Sequence, residues 1–89
     1  MLALLEFPEQ RDLLAQQPEL IETGVEELLR WVSPIKNMAR TVTTEIDLHG
    51  ETLREGDQVM LFYPSANRDD RVFSTPNQLD VRRDPNPHL

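Results

Sequence analysis

The stretch PELIETGVEELLRWV, residues 18–32, decides how the rest of the chain can be arranged. At about 100° per residue it forms one broad apolar arc on a helix, made of Leu20, Ile21, Gly24, Val25, Leu28, Leu29, Trp31 and Val32. Thr23, Glu26 and Arg30 fall on the polar side, and Glu27 falls at the border. Ser33-Pro34 ends the pattern, since proline disfavours helical geometry in the residue before it. The spacing therefore predicts one strong amphipathic helix.

Two shorter helices are predicted on the N-terminal side of this stretch. Residues 2–5 have the pattern of a last helical turn that stops before Pro8, so the chain is expected to begin inside an element. Residues 8–14 favour a second helix, with proline in the first turn and acidic side chains near the positive end of the helix dipole. Pro18 ends that helix and opens the next.

On the C-terminal side the hydrophobic period falls to about two residues, which is typical of strands. Short strands are predicted at residues 39–44 and 45–48, with a turn at His49-Gly50. Residues 58–63 contain a Val-Met-Leu-Phe run, which predicts a strand buried on both faces. From Pro64 onward the composition indicates loops and turns. Helices followed by small strands predict an α+β fold class.

Composition limits the possible functions. The 89 residues include 9 basic and 16 acidic side chains, a net charge of −7, which argues against a nucleic-acid or anionic-membrane surface. The longest apolar run, residues 1–5, is far shorter than the ~20 residues of a membrane span. With 38% apolar residues and no cysteine, the chain has neither an obvious core nor a disulfide with which to fold alone. The lack of cysteine fits a reducing, cytoplasmic setting.

Glu27 and Arg30 carry little information by themselves. An (i, i+3) Glu–Arg pair is common on helices and contributes about 0.2–0.5 kcal/mol when exposed. A solvated helix face is therefore the default interpretation. The position of Glu27 at the apolar border is the one indication that the pair faces something other than water.

The order of motifs is more specific than any one of them. After the helix comes a series of short motifs: Pro34, Arg40-Thr41, Gly50, Glu55-Gly56-Asp57, Ala66-Asn67-Arg68-Asp69, Phe73, Pro76, Arg83 and Asn86-Pro87-His88-Leu89. Over essentially all 89 residues this series resembles the cytochrome P450 family. Residues 67–89 are most similar to bacterial, particularly actinobacterial, members, some of which oxidise sterol side chains. The resemblance implies that residues 1–89 are part of one mainly α-helical P450 domain, incomplete at both ends.

In that family the Glu-x-x-Arg pair forms a buried three-way lock with an arginine of the meander that follows. The resemblance assigns this lock to Glu27, Arg30 and Arg83, and the adjacent Arg82 fits the spacing less well. One carboxylate that accepts from two guanidinium groups satisfies a buried charge that would otherwise be costly. We call these three residues the ion-pair lock.

The resemblance also implies contacts to haem. Arg40 and His88 match family positions that contact the haem propionates, for which a guanidinium and an imidazole are suitable donors. For Arg40 the alternative is a cross-strand ion pair with Glu45 or Asp47. For His88 it is a loop hydrogen bond to backbone.

Ile35 and Met38 match the family's substrate-lining turn, and core packing is their alternative. The implied function is a haem-thiolate monooxygenase that inserts one oxygen atom into an apolar, lipid- or sterol-like substrate, with electrons from a ferredoxin-type partner. The family's cysteine ligand to the haem iron follows the Asn-Pro-His segment, beyond Leu89. The chain alone is thus expected to hold no catalytic or metal-binding residue and to be inactive. The alternative is a non-catalytic small acidic interaction module or a decayed gene product.

Overall fold

Prolines divide the helical half of the chain. The computed structural model describes residues 2–89, starting with α1, Leu2–Glu6, and α2, Pro8–Gln16. Pro8 lies in the first turn of α2, where its missing N–H costs no hydrogen bond. A single 3₁₀ turn, Pro18–Leu20, leads into α3, Ile21–Val32. The helix predicted for residues 18–32 is present, with a tighter first turn.

Two small antiparallel sheets follow α3, formed by β1 with β4 and by β2 with β3, which span Asn37–Thr41, Gln58–Phe62, Ile46–Leu48 and Glu51–Leu53. In the first sheet Arg40 lies opposite Val59. In the second, His49 and Gly50 form the turn with φ of 51° and 84°. Positive φ at both central residues is what the tightest hairpin turns require. The predicted α+β class is confirmed.

The last third of the chain contains little regular structure. One short helix, α4, Tyr63–Ala66, occupies the start of the region that the composition indicated as loop. The prediction missed α4 because Pro64 suits the first turn of a helix as well as it suits a loop. Residues 67–89, all of them described, contain no helix or strand, and we call them the irregular segment. Their buried backbone groups must therefore find partners outside regular secondary structure.

The predicted burial of the strand at residues 58–63 is wrong for this chain, and much of the apolar arc of α3 is exposed as well. Four side chains on the apolar arc of α3 are 38–54% exposed: Ile21, Val25, Leu29 and Val32. The buried residues of α3 are Gly24, which belongs to the arc, together with Glu27 and Arg30. The strand β4, predicted to be buried on both faces, is half-buried only at Val59. These faces are open because the irregular segment packs on the side of α3 that carries Gly24, Glu27 and Arg30, and β4 pairs with β1 alone.

Gly24 allows the irregular segment and α2 to approach α3 closely. A Cβ atom at Gly24 would lie 2.9 Å from Leu14 Cδ2 and 3.6 Å from Val81 Cβ. Val81 is fully buried, and its N–H donates to Gln10 Oε1 at 2.9 Å. Its carbonyl accepts from Thr23 Oγ1 at 2.7 Å. Side-chain hydrogen bonds thus anchor the irregular segment to both helices.

Candidate functional site

The structure brings Glu27, Arg30 and Arg83 into one buried cluster. Arg30 approaches the Glu27 carboxylate side-on, with Nε 2.6 Å from Oε1 and Nη2 3.0 Å from Oε2. Arg83 Nε lies 3.1 Å from both carboxylate oxygens. The side chains of Glu27 and Arg30 are 0% exposed, and that of Arg83 is 10% exposed. Arg82, the neighbour that fits the spacing less well, is exposed.

All five N–H donors of Arg30 have acceptors. Besides its two bonds to Glu27, Nη1 donates to the carbonyl oxygens of Asn67 and Pro76, at 2.8 and 2.9 Å. Nη2 also donates to the Gln78 carbonyl oxygen at 3.2 Å. A guanidinium has five N–H groups and no acceptor, so this set is complete. The two arginines outnumber the one carboxylate, and these carbonyl dipoles offset part of the excess positive charge.

Two further groups complete the shell around Glu27. The Asp80 N–H donates to Oε2 at 2.8 Å, and Asn86 Nδ2 donates to Oε1 at 3.2 Å. Arg83 also donates to the carbonyl oxygens of Ser74 and Gln78, at 2.7 and 3.2 Å. The irregular segment is therefore held by charged side chains in place of a sheet or helix. Asp80 and Asn86 were not predicted, because nothing in their spacing marks a backbone N–H or a loop amide as a ligand of a distant carboxylate.

Burial raises the pKa of Glu27, but its hydrogen bonds outweigh that effect. The Arg30 guanidinium, the Asp80 N–H and Arg83 all favour the ionised carboxylate, and the pKa of Glu27 lies below its ordinary value. At Arg68, burial and then the charge of Arg30 lower the pKa of the guanidinium, against a smaller opposite effect of Glu27. The cluster thus contains a stable buried carboxylate, which suits a structural anchor rather than proton transfer.

Aromatic rings border the cluster. The Arg30 Cζ atom lies 5.2 Å from the centre of the buried Phe73 ring. Arg68 stacks on Trp31, with Cζ 3.9 Å from the ring centre, and donates to the Trp31 carbonyl oxygen at 3.2 Å. Phe7 meets Trp31 edge-on at 5.1 Å between ring centres. Cation–π contacts of this kind stabilise guanidinium groups that are removed from water.

Arg40 is exposed on β1 and lies apart from the ion-pair lock. Its Nη1 donates to the Ala39 carbonyl oxygen at 2.9 Å, and no carboxylate of residues 2–89 pairs with it. The cross-strand alternative has no support in the register, since Glu45 and Asp47 do not lie opposite Arg40. Arg40 instead borders an open groove of about 400 Å³ with mostly apolar walls: Val42, Ile46, Leu48, Leu53 and Val59.

His88 has both ring nitrogens engaged. Nε2 contacts Glu26 Oε2 on α3, and Nδ1 lies 3.3 Å from the Leu89 carbonyl oxygen. The backbone alternative for His88 thus accounts for one nitrogen, and a carboxylate of this chain occupies the other. A contact to a propionate would require the imidazole to release Glu26.

Ile35 and Met38 are 56% and 40% exposed, so neither packs into a core of this chain. An open groove of about 300 Å³ on α3 includes Pro34, the residue before Ile35. The groove is lined by Val25, Leu28, Leu29, Val32 and Pro34. Its lining is apolar throughout. Residues 2–89 contain no group of His, Cys, Asp or Glu side chains arranged to hold a metal ion. Among those same residues, no helix has the length and apolar character needed to cross a bilayer.

Asn67 is the buried polar residue that sequence reasoning missed. It is 0% exposed, and only Arg30, Glu27 and Val81 are larger among the fully buried side chains. Its neighbours Arg68, Asp69 and Asp70 made residues 67–70 look like a solvated turn, because such side chains usually lie at the surface. The series of motifs did include Asn67, and that inclusion is the one indication of a special role.

The sequence of this chain is similar to those of several known proteins. The family model described as "Cytochrome P450" matches residues 8–83. The steroid C26-monooxygenase of Mycobacterium tuberculosis (strain CDC 1551 / Oshkosh) is 45% identical over 86 residues, which cover 97% of this chain and 23% of the relative. The biotin biosynthesis cytochrome P450 of Bacillus subtilis (strain 168) is 47% identical over 89 residues, covering 100% of this chain and 22% of the relative.

The backbone is similar to solved structures as well. The crystal structure of P450BioI in complex with hexadec-9Z-enoic acid ligated acyl carrier protein superposes with a TM-score of 0.94 at 48% identity. That match covers 99% of this chain and 23% of the other. This chain therefore spans less than a quarter of the length of these relatives.

Proposed function

The chain belongs to the cytochrome P450 family, and from that premise we propose that it serves a haem-dependent monooxygenase that inserts one oxygen atom into an apolar organic substrate. The observation that carries the proposal is the bidentate Glu27–Arg30 pair, 0% exposed and joined by Arg83. Burying three charged side chains carries a large desolvation penalty, which favours a specific structural role for the cluster. Its proposed task is to hold the irregular segment in one shape beside the haem.

The residues of this chain fit a haem edge at Arg40. Its guanidinium has donors to spare, and it borders an apolar groove, so a carboxylate attached to an apolar ring system would satisfy both. When bound, haem supplies oxygen activation at an iron held by a thiolate. Arg40 would bind one propionate and so fix the orientation of the ring. His88 would bind a propionate only after its contact with Glu26 is broken, because both of its ring nitrogens are engaged.

The proposed substrate is lipid- or sterol-like. The names of two similar proteins refer to a steroid and to a fatty acid carried on acyl carrier protein. In this chain Ile35 and Met38 present apolar surface directly after α3, as a wall against an apolar substrate requires. A ferredoxin-type protein is the proposed electron donor, and the cytoplasm is the proposed location.

The test is a chimera in which this chain replaces the matching segment of the Bacillus subtilis relative. We expect the chimera to bind haem and, after reduction and addition of carbon monoxide, to give the red-shifted absorption band typical of the family. It should also show spectral shifts with fatty acids or sterols and none with polar metabolites of similar size. A chimera that folds but never gives the band would contradict the proposal.

A further inference from the structure

The side chain of Asn67 clamps the backbone of Leu89. Asn67 Oδ1 accepts from the Leu89 N–H at 2.8 Å, and Nδ2 lies 3.4 Å from the Leu89 carbonyl oxygen. Nδ2 also donates to Ser33 Oγ at 2.9 Å. One buried amide therefore joins the C-terminal end of α3 to the residue that follows His88.

Asn67 is also bonded to the ion-pair lock. Its own carbonyl oxygen accepts from Arg30 Nη1 at 2.8 Å, and its N–H donates to the Tyr63 carbonyl oxygen at 2.8 Å. Ser33, held at φ 45° just after α3, donates from Oγ to the Arg30 carbonyl oxygen at 3.0 Å. A continuous path of short hydrogen bonds thus runs from the Glu27 carboxylate through Arg30 and Asn67 to Leu89.

The chemistry of the site selects asparagine. Leu89 presents an N–H and a carbonyl, so its partner needs an acceptor and a donor on one planar group of the right reach. Aspartate of the same size offers acceptors only, and its charge would be buried. Alanine would leave the Leu89 N–H without its partner in the described part of the chain, and it would remove the donor to Ser33 Oγ, which would keep its bond to the Arg30 carbonyl oxygen.

We propose that Asn67 is a positioning residue for the haem-facing chain. It fixes the Leu89 backbone, and with it His88, at a set distance from the ion-pair lock, so that the lock and the chain beside the haem move as one body. The inference rests on the proposed function, and it gives the lock a defined route to the haem edge. Asn67 itself touches neither haem nor substrate.

The test uses the haem-loaded chimera with Asn67→Asp, and with Ser33→Ala as a milder change that removes only one partner. Asn77→Ala is the matched control, because Asn77 is an exposed asparagine of the same segment that accepts only from Arg68. Val81→Ala is the comparator for general destabilisation, since Val81 is fully buried and its backbone hydrogen bonds go to Gln10 and Thr23, not to Leu89 or Ser33. Three quantities are measured: melting temperature, rate of haem transfer to an acceptor protein, and the ratio of red-shifted to normal carbon monoxide bands.

We expect Asn67→Asp to speed haem transfer roughly 10-fold, as the loss of an outer-shell contact does at metal sites, and to lower the band ratio. Ser33→Ala should act in the same direction with a smaller change, and it decides the matter if Asn67→Asp does not fold. Val81→Ala should lower the melting temperature with little effect on the band ratio.

If both variants match Asn77→Ala in band ratio and haem transfer while the unmodified chimera gives the red-shifted band, the positioning role is wrong and the proposed function stands. If they change the ratio only as much as Val81→Ala does at equal melting temperature, Asn67 contributes stability alone. An unmodified chimera without the band would overturn the proposed function and this inference together.

Discussion

Glu27 accepts hydrogen bonds from two arginines, a backbone N–H and an amide, and this shared dependence makes its cluster fail as a unit. Replacing Glu27, Arg30 or Arg83 with alanine in the chimera should each cost ~3–5 kcal/mol of stability, since the remaining partners stay buried without compensation. Haem incorporation should collapse in all three. Urea unfolding with haem titration measures both effects, and Arg82→Ala is the exposed control.

The double variant Glu27→Ala/Arg30→Ala tests the coupling. Its loss should scarcely exceed that of either single variant, because the same interactions are already gone. Additive and mild losses would instead describe unrelated surface ions.

Acid should weaken the cluster. The pKa of Glu27 is lower in the folded chain than the value of about 4.3 that an unfolded Glu has, so its contribution is complete above that pH and is lost as the pH falls through the folded value. Glu27→Gln removes this titration, so the difference in melting temperature between the parent chimera and Glu27→Gln should shrink as the pH falls below about 4.3. Glu19→Gln, at an exposed glutamate, is the control. A constant difference across the acid range would contradict the assignment.

Arg40 separates a haem edge from an ordinary sheet. Arg40→Ala should speed haem loss from the chimera far more than it lowers the melting temperature of the apoprotein, and Arg40→Lys should rescue only partly. His88→Ala should act in the same direction but more gently, because an imidazole gives one hydrogen bond where arginine gives a charged fork. Arg54→Ala, at another exposed cation, is the control. Equal losses in the holo and apo forms, or full rescue by Glu45→Ala, would return Arg40 to a cross-strand role.

At the scale of single residues, the sequence indicated which residues belong to the cluster better than it indicated their burial or their contacts. Glu27 and Arg30 were visible as a pair, but their burial was not, since an identical spacing occurs on countless solvated helices. Arg83 entered only through the family resemblance. Asn67 escaped notice because its value lies in a bond to Leu89, 22 positions away, which no local pattern encodes.

Among the elements, the helix α3 could be predicted well from the sequence, but the side on which it is buried could not. A period of 3.6 residues fixes a helix and its apolar side, but it does not say which side this chain covers. The irregular segment covers the side with Glu27 and Arg30 because its donors and acceptors match these two side chains. The exposed part of the apolar arc, Ile21, Val25, Leu29 and Val32, is 38–54% open among residues 2–89.

Gly24 tests how tightly α3, α2 and the irregular segment are packed. Gly24→Ala should change stability by less than about 1 kcal/mol, because the 2.9 Å contact is with the movable end of Leu14 and the gain in helix propensity opposes it. Gly24→Leu should lower the free energy of unfolding by about 1–3 kcal/mol, since the larger side chain would also meet Val81, whose backbone is held by Thr23. Thermal unfolding of the chimera measures both changes. Partial recovery of Gly24→Leu by Leu14→Ala would support the steric cause, and equal effects of alanine and leucine would contradict it.

The described part of the chain, residues 2–89, is long and thin, 52 by 22 by 20 Å, and its interior is unusually polar. The buried apolar side chains of residues 2–89 are Ala3, Phe73, Leu79 and Val81, whereas Arg30 and Glu27 are the largest side chains that are fully buried. Few apolar side chains are fully buried, and charged hydrogen bonds join the irregular segment to α3. Composition had indicated a weak apolar core, but it could not reveal that an ion cluster takes its place.

The 89-residue chain by itself should give no thiolate-type haem spectrum. It contains no cysteine, so carbon monoxide added to reduced haem and the purified chain should leave the absorption band at the position typical of non-thiolate ligands. The chimera is the positive control. A red-shifted band from the chain alone would mean that another group can replace the thiolate, and it would contradict the family-based mechanism.

The distance along the chain between the members of the ion-pair lock sets an order of events during protein synthesis. Glu27 and Arg30 are made within one helical turn of each other, whereas Arg83 follows Glu27 by 56 positions. At about 5–20 residues per second, Arg83 is added roughly 3–11 s after Glu27. Until then the ion-pair lock lacks its second arginine, and Asn86, which completes the shell around Glu27, is added after Arg83. Translation speed between these codons thus sets how long the half-formed cluster is exposed to chaperones and proteases.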